Sequence, residues 1–315
     1  MDAAHLHHPI KRRNFLKTSS KFAAASAMMS FGGFSLMSAI VPEGNSKDIP
    51  LVQLNNGVKM PMLGFGTYSL NGKDCETYVN QAISVGYRLI DTATIYANEE
   101  FVGAGIKNSG IEREKLFVTS KVWVSDSGYE NAKKAFETSI NKLQTDYLDL
   151  YLIHRPRGDV KGSWKAMEDL HKDGKIRAIG ISNFEPEQIR ELMEYAQIKP
   201  AVNQIETHPF YQQAEALKYL AQQDIQMEAW SPFAEGRNDL FTNKTLADIG
   251  KKYNKSNAQV CLRWHFQRGV IAIPRTSKKA HMVENLNIFD FELDATDMAT
   301  IAGLDLNVTQ FPEWS

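Results

Sequence analysis

The sequence is poor in cysteine. Among 315 residues only Cys75 and Cys261 carry a thiol, which excludes a disulfide-stapled scaffold and a cysteine-rich zinc site. Long hydrophobic runs are missing as well. No stretch of about 18 uninterrupted apolar residues occurs, so a membrane-spanning helix is not expected. Neither sign of charge is in excess: 36 Lys and Arg face 37 Asp and Glu, a formal net charge of −1. That removes the electrostatic footprint of a nucleic-acid binder. What is present is a composition 43% hydrophobic, too apolar and too balanced in charge for a disordered chain and sufficient for a large core.

The first forty residues differ from the rest. Lys11-Arg12-Arg13-Asn14-Phe15-Leu16-Lys17 is a basic stretch, residues 22–41 carry no charge, and small residues close the segment at Ser38-Ala39. A basic start, a weakly apolar middle and a small-residue end describe an export signal. The Arg12-Arg13 pair followed by Phe15-Leu16-Lys17 resembles the twin-arginine type, although Lys11 stands where Ser or Thr is usual. The resemblance implies export of the folded protein by the Tat machinery and a periplasmic location. No Cys follows the apolar stretch, so a lipid anchor is not expected. Residues 1–41 hold five basic side chains (Lys11, Arg12, Arg13, Lys17, Lys21) against one acid (Asp2), so removing them takes the net charge from −1 to −5. Two parts are expected: residues 1–41 as signal and linker, and residues 42–315 as one domain.

That domain opens with a hairpin signal, Asn55-Asn56-Gly57 between the short runs Leu51–Leu54 and Val58–Met60. Eight apolar runs follow: Leu63–Thr67, Tyr87–Asp91, Leu116–Lys121, Leu148–His154, Ile176–Ser182, Ala201–Ile205, Ile225–Trp230 and Val270–Pro274. Segments of helical period lie between them, as at Cys75–Val85, Ala132–Leu143, Pro186–Tyr195 and Ala258–Gln267. Repeated strand-then-helix order means parallel strands joined by crossovers. Eight units in about 265 residues match a closed (β/α)8 TIM barrel, with the hairpin closing its bottom. The last interval, 45 residues from Ile225 to Val270, has room for an extra loop. The competing open sheet would carry Gly-x-Gly-x-x-Gly after its first strand, and Gly64-Phe65-Gly66 is followed by Thr67, Tyr68 and Ser69 instead.

Barrel chemistry sits at the C-terminal ends of strands. Those ends read Asp91, Lys121, His154, Ser182-Asn183, Gln204 with Glu206, and Trp230-Ser231. Singly, Asp91 reads as a helix cap, Lys121 as a solvated strand end and His154 as a satisfied histidine. Jointly, on three consecutive strands, they converge on one mouth. Tyr96, five residues past Asp91, can return to it. A phenol with a pKa near ~10 gives up its proton reluctantly. An adjacent ammonium, Lys121, is expected to lower that value, with Asp91 holding Lys121 and His154 aiming a substrate oxygen. The histidines lack zinc-site spacing, so no metal is expected. Glu99 and Glu100 are adjacent and do not face one another on a helix. Glu206 reads as a strand-end salt bridge.

The stretch Tyr87–Glu100, Tyr-Arg-Leu-Ile-Asp-Thr-Ala-Thr-Ile-Tyr-Ala-Asn-Glu-Glu, resembles the first signature of the aldo-keto reductases. Leu116–Trp123, Asp149–His154, Ile179–Phe184, Asn203-Gln204 and Glu228–Pro232 continue the resemblance in order. It implies a nicotinamide-dependent barrel that reduces aldehydes and ketones, keto sugars and keto acids included. Tyr96 would be the general acid, Lys121 and Asp91 would tune it, and His154 would orient the carbonyl. Ser182, Asn183 and Gln204 would bind the nicotinamide carboxamide. Trp230, where Tyr is common, would stack on its ring. Ser231 and the loop after it, through Phe233 to Arg237, would lie along the pyrophosphate. Arg275, Thr276, His281, Glu284 and Asn285 would hold the adenosine phosphate and adenine. His281 stands where Arg is usual, and a largely neutral imidazole cannot fork a phosphate. The grip on NADPH is therefore expected to be weaker and NADH to be tolerated, but Arg275, Lys278 and Lys279 still supply positive charge, so NADPH is favoured. In the substrate pocket Tyr68 and Trp123 supply aromatic walls, and Arg155, where many members have Trp, offers a guanidinium to anionic substrates. A short tail ending near Trp314 implies an open pocket, with Trp314 within reach of it. The partners expected are a small carbonyl substrate and the export machinery, with the barrel a monomer. The runner-up is an NADP(H)-binding redox sensor with little turnover.

Overall fold

A computed structural model of the chain describes residues 49–314; the expected export segment, residues 1–41, lies outside them. The hairpin forms as its turn residues require. Strand β1 (Leu51–Gln53) pairs antiparallel with β2 (Lys59–Pro61), and Gly57 takes the left-handed φ of 86° that the tight turn needs. Asn55 and Asn56 donate side-chain hydrogen bonds to the carbonyls of Pro200, Asp224 and Arg177, which fastens the hairpin beneath the barrel.

Eight parallel strands follow: β3 (Phe65–Gly66), β4 (Leu89–Asp91), β5 (Phe117–Val122), β6 (Leu148–Ile153), β7 (Ile176–Ser182), β8 (Val202–Glu206), β9 (Gln226–Trp230) and β10 (Ile271–Ala272). Each pairs with the next in sequence. The seam closes where Leu63 bridges Ala272, with the Gly64 and Gly66 amides donating to Ala272 and Pro274. A Cβ on Gly66 would stand 2.7 Å from the Ile273 carbonyl oxygen. The two glycines thus serve the seam, which is why they do not continue into a phosphate-binding fingerprint.

Ten helices cover the sheet among the described residues: α1 (Gly72–Val85), α2 (Glu99–Asn108), α3 (Tyr129–Leu143), α4 (Val160–Lys172), α5 (Pro186–Tyr195), α6 (Ala214–Gln222), α7 (Lys244–Tyr253), α8 (Asn257–Gln267), α9 (Lys279–Leu286) and α10 (Ala295–Ala302). Local sequence starts several of them. Pro186 opens α5 behind a Glu185/Gln188 capping box, and Ser256 with Gln259 does the same for α8. The long interval before β10 holds a whole extra helix, α7, and the irregular segment Ala234–Thr242.

Two apolar clusters result. Between sheet and helices, faces such as Ala132, Phe136, Ile140 and Leu143 of α3 pack down, with Phe136 edge-on to Tyr151 at 5.5 Å. Inside the barrel, Leu89, Phe117, Leu150, Leu152, Val202 and Ile271 meet Leu54, Met60 and Met62 from the hairpin. Fully burying each such side chain contributes about 1.5–3 kcal/mol. Because side chains alternate with period 2, the inward positions climb each strand from apolar to polar: Leu89 to Asp91, Phe117 through Thr119 to Lys121, Leu152 to His154, Val202 to Gln204. The barrel is sealed below and carries its chemistry above.

Candidate active site

Asp91 and Lys121 lie on adjacent strands at this polar level, 2% and 0% exposed. Lys121 Nζ donates to Asp91 Oδ1 at 2.6 Å and to the Thr92 carbonyl at 2.8 Å, and its third proton is directed to Tyr96 Oη at a long 3.4 Å. Such contacts commonly tighten only when the site is loaded. Tyr96 arrives on a single helical turn, Thr94–Tyr96, ended by Ala97 in the left-handed region. Side-chain bonds pin that turn: Thr94 Oγ1 donates to the Lys121 carbonyl, Thr92 Oγ1 to Asn98 Oδ1, and Asn98 Nδ2 to the carbonyls of Thr67 and Leu70. A loop residue five positions past a strand end is thereby returned to the mouth.

The electrostatics follow from burial and pairing. Burial pulls Lys121 down, but Asp91 and Tyr96 outweigh it, so the ammonium is held above its ordinary pKa and stays charged. For Tyr96 burial raises the pKa by more than Lys121 lowers it, with Asp91 adding to the rise. The sequence-based expectation of a net-lowered phenol is therefore corrected: without ligand, dehydration by the surrounding protein outweighs the ammonium, and Tyr96 remains a fully protonated donor. Burial, then Lys121 and Arg155, push His154 well below its usual range, so its ring is neutral. Its Nδ1 is buried without a partner.

Aromatic rings build the wall above. Tyr96 and Trp123 meet the His154 ring edge-on at 5.8 and 4.9 Å, and Tyr68 meets Tyr96 at 5.1 Å. Trp314 closes the circle, 5.3 Å from Tyr68 and 5.5 Å from Trp230. The cavity they enclose measures about 500 Å³ and is also lined by Arg155, Ser182, Asn183, Gln204, Ser231 and Arg275. The tail thus reaches the pocket and narrows it, against the open pocket expected from its length. Glu206 explains why. It accepts hydrogen bonds from Thr309 Oγ1 and the Gln310 amide, and pairs with His208.

On the far side, Asn183 and Ser231 both adopt left-handed φ at strand ends, 63° and 46°. Asn183 Nδ2 donates to the His154 carbonyl and to Ser182 Oγ, and Trp230 Nε1 donates to Asn183 Oδ1 at 2.8 Å. Gln204 Nε2 spends both protons on carboxylates, Asp91 Oδ2 at 2.9 Å and Glu228 Oε2 at 2.8 Å. Its carbonyl oxygen is the part of the amide left to serve the cavity. A free amide acceptor beside an indole face fits the carboxamide and ring of a nicotinamide.

The residues assigned to the adenosine end are spread out. Arg275 is exposed and donates to Ser69 Oγ. Thr276 Oγ1 lies 3.5 Å from the ring of exposed His281. The Glu284 carboxylate accepts from Ser256 Oγ, and Asn285 is buried, 3% exposed. None of Thr276, His281, Glu284 and Asn285 lines the cavity. Arg237 does not extend along the loop either: its guanidinium lies 4.0 Å over the Phe311 ring and bonds the Gln310 carbonyl and Glu313 carboxylate. Sequence reading gave Glu228 no role. Its signal was an acid between Met227 and Ala229 in the buried middle of a strand.

A model of the Aldo/keto reductase family matches residues 62–306. The chain belongs to that family. Among similar relatives, a glyoxal reductase from Bacillus subtilis (strain 168) is 53% identical over 256 residues, 81% of this chain and 92% of the relative. An aldo-keto reductase from a Medee basin deep-sea metagenome library superposes with a TM-score of 0.81 at 42% identity, covering 82% of this chain and 97% of that one. A Bombyx mori aldo-keto reductase in complex with NADP gives 0.79 at 33% identity, covering 85% and 97%. As an aldo-keto reductase the chain keeps the expected barrel.

Proposed function

We propose that this chain is an NADPH-dependent reductase of small aldehydes and ketones, with Tyr96 as the proton donor. The observation that carries the reading is the buried chain of contacts Asp91–Lys121–Tyr96 ending at the same cavity as neutral His154 and the free carbonyl oxygen of Gln204. Membership of the Aldo/keto reductase family and the NADP-bound relative support the cofactor.

When bound, the nicotinamide supplies the hydride. Gln204, Ser182 and Asn183 would hold its carboxamide and Trp230 its ring, while Arg275 would hold the adenosine phosphate of the same cofactor. His154, being neutral, donates a hydrogen bond to the substrate oxygen and aims the carbonyl without adding a charge. As negative charge develops on that oxygen, Tyr96 gives up its proton to it. Lys121 stabilises the phenolate left behind, and Asp91 keeps Lys121 charged and in place. The aromatic wall excludes water and orients the carbonyl. The sensor alternative is not favoured, because a complete proton-donating set stands at the cavity.

Arg155 supports a substrate preference. It is half-buried at the cavity and makes no ion pair among the described residues, and burial and then the like charge of Arg157 disfavour its charged form. A carboxylate on the substrate would relieve that arrangement, so 2-oxo acids and aldehydo acids are the favoured class. For residues 1–41 we propose twin-arginine export to the periplasm, on the strength of Arg12-Arg13 and the uncharged stretch after them. Replacing both arginines by Lys should retain a tagged precursor in the cytoplasm. The barrel itself is proposed to be monomeric, with elution as a single-chain mass as the check.

The direct test is NADPH oxidation on adding glyoxal-type and simple aldehydes. The native protein should turn over. Tyr96→Phe should lose most turnover, about 10²–10⁴-fold, yet still quench tryptophan fluorescence on titration with NADPH. Near-full activity in Tyr96→Phe would overturn the assignment.

A further inference from the structure

Glu228 is the acid that this mechanism does not use. It sits in the middle of β9 with 0% of its surface exposed, on a strand whose register places it beside Gln204 on one side and Ile271 on the other. Its Oε2 accepts from Gln204 Nε2 at 2.8 Å, while Oε1 is buried with no partner. A carboxylate so placed, with one oxygen orphaned and no cation bonded to it, is costly as an ion.

Gln204 joins this acid to the catalytic set. Its amide nitrogen bridges Glu228 Oε2 and Asp91 Oδ2, and Asp91 Oδ1 in turn holds Lys121 at 2.6 Å. The groups that face Glu228 are therefore Asp91 from β4, Lys121 from β5 and Gln204 from β8, while Ile271 from β10 does not titrate. We infer that Glu228 is a positioning residue for the reduction: it holds the Gln204 amide with its carbonyl oxygen toward the cavity, and its charge state sets the charge of the cluster on which the acidity of Tyr96 depends.

The physics gives the sign. With Glu228 neutral, Asp91 and Lys121 cancel, and a phenolate forming on Tyr96 is the only new charge in the site. With Glu228 ionised the cluster is already negative, and a second negative charge at Tyr96 and on the substrate oxygen is disfavoured. Burial, reinforced by Asp91, raises the Glu228 carboxyl to about 8. The neutral form therefore dominates below that pH, and carbonyl reduction should weaken as pH rises through it. The active-site cluster is in this way a proton-counting device with a carboxyl at its base.

The inference rests on Tyr96 as proton donor, and the experiment separates the two. The kcat of NADPH-dependent reduction is followed across pH for the native protein and for Glu228→Gln, which keeps the shape and an acceptor but cannot ionise. In the native protein kcat should fall on the order of tenfold, the equivalent of one pKa unit, to a lower plateau above pH about 8. In Glu228→Gln the ratio of kcat above and below that pH should be close to one. Identical profiles would overturn the inference, whereas native protein with no turnover at all would overturn the reading of Tyr96. Should the variant fail to fold, infrared spectra of the native protein decide: a protonated-carboxyl band that outlasts the surface carboxyls and vanishes near pH 8 supports the inference, and no such band overturns it. Glu228→Leu, which removes the acceptor, should weaken NADPH binding several-fold more than Glu228→Gln does; equal binding by the two overturns the positioning role.

Discussion

The two ends of the cofactor site are built differently. At the catalytic end, Asp91, Lys121, Gln204 and Glu228 are each at most 2% exposed and linked by hydrogen bonds of 2.6–2.9 Å. At the proposed adenosine end, Arg275 and His281 are exposed, and their contacts are to Ser69 and, loosely, to Thr276. The first region is fixed before any ligand arrives, so the reacting groups need little reorganisation. The second, as proposed, has its charges in solvent and would have to gather them on binding, and so would govern affinity rather than chemistry.

The largest way to break this contrast is to cut the locked end. Lys121→Met leaves Asp91 buried without its cation. It should cost about 3–5 kcal/mol of stability in urea unfolding, and kcat should fall about 10²–10⁴-fold. Asp91→Asn keeps a hydrogen-bond acceptor for Lys121, so it should cost less of both. The loose end should respond oppositely. His281→Arg adds a forked donor where an imidazole now stands, and NADPH should bind roughly 10-fold tighter, the equivalent of about 1.4 kcal/mol, with NADH unchanged in the same fluorescence titration. Equal gains for both cofactors would mean that His281 does not meet the 2′-phosphate.

Between the ends stands the rim. Arg155→Ala should lower kcat/KM for carboxylate-bearing carbonyls severalfold and leave neutral aldehydes unaffected. Equal values for the two substrate sets in the native protein would contradict the anionic preference. The smallest effect should come from Glu313→Ala. It removes a half-exposed partner of Arg237, a contact of the kind worth about 0–1 kcal/mol, and should raise KM slightly without changing kcat. A large loss of kcat there would show that the tail contributes to the locked end after all.

The same division explains what could be read from the chain. Apolar runs ending in Asp91, Lys121 and His154 announced both the barrel and its mouth, because a strand that climbs from Leu to Asp at inward positions has few other uses. The hairpin was legible in Asn55-Asn56-Gly57, whose turn demands those residues. What stayed hidden depends on distant partners. Glu228 gains its meaning only through Gln204 on the neighbouring strand, and the sign of the Tyr96 shift depends on how much water the wall removes. Arg237 read as a phosphate ligand by position in the loop. Its capture by Phe311 and Glu313, 74 and 76 residues later, is a tertiary fact that no local pattern encodes. The tail, too, is held at the pocket by distant partners, Glu206 on β8 bonding Thr309 and Gln310.

The most direct test of the contrast is amide hydrogen exchange with and without saturating NADPH. The account predicts that β4, β5, β8 and β9 are strongly protected in the free protein and change little. The gain on binding should concentrate in residues 231–242 and 275–286. Strong new protection in the four catalytic strands, with the adenosine segment unchanged, would contradict it.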